Sequence, residues 1–197
     1  PMNDILKILR KYDLLPAIFF MKSRADCDRA LELCDDEGLR NDPDRKVRIA
    51  EKVDALTRKN EYLAGHKQLR FISERAVGAH HSGHLPIWKK TVESFMNDGY
   101  LDAVFATSTV AAGVNFPARS VVVLNSDRFN GKEFMPLSSI EFHQMTGRAG
   151  RRGKDNIGFV LMLPGKFMDL KHMARRVDSP PSNIDSQIKI NFSMTLN

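Results

Sequence analysis

The sequence predicts an α/β fold built on a mostly parallel sheet with helices on both faces. Three observations carry this. Short apolar runs of strand length recur at 14–21, 101–107, 120–125 and 157–163. They show little apolar/polar alternation, as expected for strands buried on both faces. Segments of helical periodicity separate them, and such alternation of strand and helix is the signature of parallel sheets with crossover helices. Residues 2–13 begin the chain as a short amphipathic helix, with Ile5, Leu6, Ile8 and Leu9 set among Lys and Arg. Leu14 to Met21, LLPAIFFM, is the first strand. Ser23, with Asp26 three residues on, has the pattern of a capping box and opens a helix reaching about Leu33.

Residues 39–72 are charged and amphipathic, and predict one or two helices through Val47, Ile49, Val53, Leu56, Leu63, Leu69 and Phe71. Arg75 to His81 reads as a short strand that HHSGHLP interrupts. Pro86 to Asn97 is a helix with Pro in its first turn, where the missing N–H costs nothing. The strands at 101–107, 120–125 and 157–163 follow, with a further helix before the last of them. Beyond Pro164 the pattern changes to a short basic helix, a Ser-Pro-Pro break and an amphipathic stretch. This divides the chain into a domain at 1–165 and a linker at 166–197.

The composition, 42% hydrophobic and 27% charged, is that of an ordinary soluble globular protein. No apolar run approaches the ~20 residues of a membrane helix, so no membrane partner is expected. The net charge of +6 permits a polyanionic partner without demanding one. Cys27 and Cys34, roughly 10 Å apart on a helix, are too distant for a disulfide and read as reduced thiols of a cytoplasmic protein.

The most informative segment is Gln144 to Gly153, QMTGRAGRRG. Gln144, Arg148 and Arg151 fall at i, i+4 and i+7, which on a helix is one stripe. Gly147 and Gly150 beside it admit a close-packed surface. Ser138 and Glu141 form a capping-box pattern that starts the helix. Rigidly held guanidinium groups suit a transferring phosphoryl group. Cations also favour ordinary helix ends, but the ten-residue string is more specific than an arginine pair.

That string resembles motif VI of superfamily-two helicases, and most closely the superkiller-like branch. Three other segments are similar to motifs of that branch in the expected order. FFMKSRADCDRA at 19–30 resembles motif IV, HHSGHLP at 80–86 the H-H-x-G-x-L-P segment, and ATSTVAAGVNFPA at 106–118 motif V. The resemblance implies a RecA-like fold, the second such domain of a helicase. Gln144, Arg148 and Arg151 would then be catalytic, the arginines as fingers for the γ-phosphate. Gly113 and Asn115 would face the nucleotide. Ser23, Arg24, Ser82, Gly83, Thr107 and Thr109 would touch the backbone of single-stranded nucleic acid. No phosphate-binding loop occurs here, so ATP and Mg2+ are expected in a site shared with a first RecA-like domain that holds the Mg2+. The fragment alone is expected to be inactive.

Ile184, Ser186, Ile188, Ile190, Phe192, Met194, Leu196 and Asn197 follow the cadence of the family's segment leading into a winged helix. Arg152 stands where DNA helicases of the archaeal repair type usually have Pro. Both features favour RNA, and the resemblance implies 3′-to-5′ translocation. The alternatives are such a DNA helicase or a catalytically inactive nucleic-acid-binding scaffold. HHSGHLP also raises zinc. It offers no Cys or acidic ligand at sensible spacing, and a strand sends His80 and His81 to opposite faces, so no metal is expected.

Overall fold

The computed structural model describes residues 2–108, 116–129, 132–177 and 179. Five strands form a parallel sheet: β1 (Ala17–Met21), β2 (Val77–His80), β3 (Ala103–Thr107), β4 (Ser120–Val123) and β7 (Phe159–Met162), in the order β2-β3-β1-β4-β7. Alternation along each strand feeds two cores. Ala17 and Phe19 of β1 join Ala103 and Phe105 of β3 against α1 (Met2–Lys11) and α2 (Arg24–Glu32), through Leu6, Leu9, Cys27 and Leu31. Ile18 and Phe20, with Val104, Val121 and Val123, face the opposite layer. There they meet Ile49 of α4 (Pro43–Lys59), Ile72 of α6 (Leu69–Arg75), Trp88, Val92 and Phe95 of α7 (Pro86–Asn97), and Phe142 and Met145 of α8 (Ser139–Thr146). Each such fully buried side chain contributes about 1.5–3 kcal/mol, which is why these strands are apolar on both faces. The expected α/β architecture is therefore the observed one.

Several boundaries move for local reasons. β1 begins after Pro16, later than the apolar run itself. β2 begins at Val77 because α6 continues through Arg75 and ends on Ala76 in the left-handed region at φ +54°. The charged stretch makes four helices, α3 (Glu37–Arg40), α4, α5 (Glu61–Ala64) and α6, because Asp42 and Asn60 cap new starts. Val47, expected on the buried face, is exposed. A two-stranded hairpin, β5 (Asp127–Phe129) with β6 (Phe134–Pro136), was not foreseen. Cys27 and Cys34 are free and fully buried, and burial raises both thiols, Cys34 to about 12.

The basic helix α9 (Leu170–Val177) packs back on α8. Met173 is fully buried, and Arg176 Nη1 donates to Ser139 Oγ at 3.0 Å. Residues 184–197, the segment resembling a winged-helix approach, lie outside the described residues. No described helix is long and apolar enough to cross a membrane.

Candidate functional site

Because β2, β3 and β1 are adjacent and parallel, the residues that follow them emerge on one edge, at the carboxyl ends. Ser23 follows β1, Ser82 follows β2 and Thr107 ends β3. Ser23 is the N-cap of α2: its Oγ accepts from the Asp26 amide at 3.1 Å and donates to Asp26 Oδ2 at 2.7 Å. Arg24 is exposed beside it, and a Cβ at Gly83 would lie 3.4 Å from Arg24 Cδ, so the β1–α2 and β2–α7 turns touch. The Gly83 amide donates to His81 Nδ1 at 3.2 Å, while Ser82 is exposed. Ser23, Arg24, Ser82, Gly83 and Thr107 thus share one edge. Thr109, Gly113 and Asn115 lie outside the described residues.

His80 and His81 go to opposite faces of the sheet, as strand alternation requires. His80 Nε2 pairs with Glu93 of α7 at 2.9 Å, and burial lowers its pKa. His81 Nε2 pairs with Asp28 of α2 at 3.1 Å.

The arginine segment is built differently from its sequence expectation. α8 starts as predicted, with the reciprocal capping box of Ser138 and Glu141. It ends at Thr146, however, with Gly147 as its C-cap. Gln144 is on the helix and exposed, whereas Arg148 lies in the following turn and Arg151 beyond it. The three therefore do not form a helical stripe. The chain leaves the helix because its backbone finds another partner. Ala118 N donates to Arg148 O at 3.0 Å and Gly150 N to Ala118 O at 2.7 Å, closing a parallel bridge between Ala118 and Ala149. Gly150 takes φ +87°, a conformation that favours glycine. This bridge ties the end of the motif V-like segment directly to the arginine segment. It also places Arg148 and Arg151 near the amino ends of β4 and β7, away from the carboxyl edge that carries Ser23, Ser82 and Thr107.

Arg151 is held by a residue that the motif did not include. Its Nε donates to Asp155 Oδ2 at 2.7 Å, its Nη2 to Asp155 Oδ1 at 2.9 Å, and its amide to Asp155 Oδ2 at 2.9 Å. Asp155, whose side chain is 1% exposed, also meets Arg119 at 3.5 Å. The Arg151 hydrogen bonds hold its carboxyl at about 2. Gly158 is equally necessary: a Cβ there would sit 2.4 Å from the Ala149 carbonyl carbon, a backbone-to-backbone approach only glycine permits. In sequence, an Asp four residues after an Arg in a polar turn carries no distinguishing signal, and Gly158 falls within the expected strand at 157–163. Arg151, Arg152 and Lys154 line a cleft of about 390 Å³ against the end of α7. Its three cations suit a polyphosphate. It offers no carboxylate to a metal, since Asp155 is taken up by its arginines.

The parallel five-stranded sheet between helical layers is that of a RecA-like domain. Residues 30–153 match the family described as the helicase conserved C-terminal domain, and the chain belongs to that family. It is 37% identical over 98% of its length to the probable helicase HelY of Mycobacterium tuberculosis, covering 22% of that protein. It is 33% identical over 98% of its length to the human exosome RNA helicase MTR4, covering 19% of it. It is 33% identical over 99% of its length to the ATP-dependent RNA helicase DExH9 of Arabidopsis thaliana, covering 20% of that protein. The superkiller-like resemblance therefore holds, and the chain spans about a fifth of the length of these relatives.

Proposed function

We propose that this chain is the second motor domain of an ATP-dependent RNA helicase moving 3′-to-5′. The observation that carries this reading is the separation of two polar edges by a rigid sheet. A strand of four or five residues spans about 15 Å. Contacts to a nucleic-acid strand at one end and to nucleotide at the other are thus linked through packed β-structure. Ser23, Arg24, Ser82, Gly83, Thr107 and Thr109 track the sugar–phosphate backbone without reading bases. Gly113 and Asn115 face the nucleotide.

At the other edge, Arg148 and Arg151 offset charge on the γ-phosphate, and Gln144 orients it or the attacking water. Asp155 fixes the plane of the Arg151 guanidinium by engaging Nε and Nη2, which leaves the Nη1 corner outside that pair. ATP and Mg2+ occupy a site shared with a first RecA-like domain, to which the Mg2+ ligands belong. The isolated chain accordingly has no turnover. Closing and opening of the two domains around ATP moves the backbone contacts. The preference for RNA over DNA rests on Arg152, where DNA helicases of the archaeal repair type usually have Pro, and on the winged-helix-like cadence of residues 184–197. Two buried thiols suit the reducing cytoplasm.

The test is to replace Thr107 and Thr109 together by Ala in the full-length enzyme. Basal ATPase is expected to persist while its stimulation by single-stranded RNA is lost. Undiminished stimulation would remove this edge from nucleic-acid contact.

A further inference from the structure

Sequence spacing offered HHSGHLP no third metal ligand, but the fold supplies one. Among the described residues, Asp28, His81 and His84 form a group whose potential ligand atoms all lie within 4.8 Å of one another. His81 and His84 belong to the turn between β2 and α7, and Asp28 comes from α2, 53 positions before His81. We propose that Asp28, His81 and His84 form a binding site for a divalent transition-metal ion, zinc foremost, with a fourth position open to water.

Four features fit this chemistry. His84 Nδ1 is buried and makes no hydrogen bond within the described structure, an arrangement that is unfavourable unless a partner arrives. The His81 and His84 rings now stack, with centroids 3.7 Å apart and planes at 23°, so one ring turns on binding for both lone pairs to meet one ion. Zinc with bonds of about 2.0–2.1 Å in tetrahedral geometry needs ligand atoms roughly 3.3–3.5 Å apart, and His81 Nε2 already lies 3.1 Å from Asp28 Oδ1. Gln68 Nε2 donates to the same Oδ1 at 2.6 Å, the kind of outer contact that orients a ligating carboxylate. Two imidazoles and a carboxylate are a common donor set for zinc.

Binding at His81 Nε2 moves that ring's proton to Nδ1. The 3.2 Å contact from the Gly83 amide is exchanged for the coordinate bond, with no net proton release. An open cleft bordered by Tyr62, His66 and His84 gives the ion its entry. The bound ion would pin α2 to the turn carrying Ser82 and Gly83, stiffening the carboxyl edge.

Zinc chloride titrated calorimetrically into the chelator-stripped 197-residue chain tests this, with cobalt(II) as a visible-absorption surrogate. The expected result is one saturable equivalent and a four-coordinate cobalt band. His84→Leu and, separately, the milder Asp28→Asn are expected to weaken binding about 100-fold and abolish the band, with circular dichroism unchanged. Absence of stoichiometric binding overturns the proposal. So does affinity unchanged in both variants, which places the ion elsewhere.

Discussion

Asp155 governs how Arg151 is presented. An arginine on a free turn would sample many rotamers, whereas a buried carboxylate engaging its fork leaves one orientation. The arginine hydrogen bonds hold the folded-state carboxyl at about 2, below the ordinary 3.8. A depressed carboxylate contributes stability that is complete above the unfolded pKa and is lost as pH falls through the folded one. Urea titrations of the chain are therefore expected to show this contribution fading between about pH 4 and pH 2, and Asp155→Asn to lack that loss. An identical acid profile for the two proteins would contradict the pairing. At this scale the sequence showed Gln144, Arg148 and Arg151 but hid what holds them. The i, i+4, i+7 spacing implied a helix, and the backbone instead follows Ala118 after Gly147.

Among the elements, the outer helices are tied to the sheet by one acid. Asp102, just before β3, accepts from Arg10 of α1 at 2.9 Å and from Arg45 of α4 at 2.7 Å. Gly38 is kept small by it, since a Cβ there would lie 2.1 Å from Asp102 Oδ2. Replacing Asp102 by Ala removes the buried carboxylate from Arg10 and leaves Arg45 only Gly38 O and Asp42, and is expected to cost about 3 kcal/mol in equilibrium denaturation; a loss below about 1 kcal/mol would show that the clamp is incidental. Helix α7 was legible to the residue because Pro86 marks its start and Trp88, Val92, Phe95 and Met96 mark its buried face. The 37–75 region was less so, because its periodicity runs through caps at Asp42 and Asn60 that divide the stretch. The β5–β6 hairpin escaped notice because its strands have three residues each, and Phe129, Phe134 and Met135 are exposed, so no burial pattern announces it.

For the molecule as a whole, sequence strings identified the family, and the sheet explained how its motifs are distributed. Ser23, Ser82 and Thr107 meet on one edge because each follows or ends a strand of a parallel sheet. The arginines lie at the opposite ends of β4 and β7, a placement that linear order cannot reveal when the chain turns back after a helix. On the function proposed above, the domain couples two edges through its core, and its own contribution to ATP chemistry is the arginine pair. The most direct test is steady-state, RNA-stimulated ATPase of the full-length enzyme carrying Arg148→Ala or Arg151→Ala, with Lys at each position as the control. Each Ala variant is predicted to lose about 10³-fold in turnover while remaining folded, and Lys to rescue poorly because it lacks the planar fork. A loss below tenfold in a folded protein would contradict the account and leave the arginines a structural role.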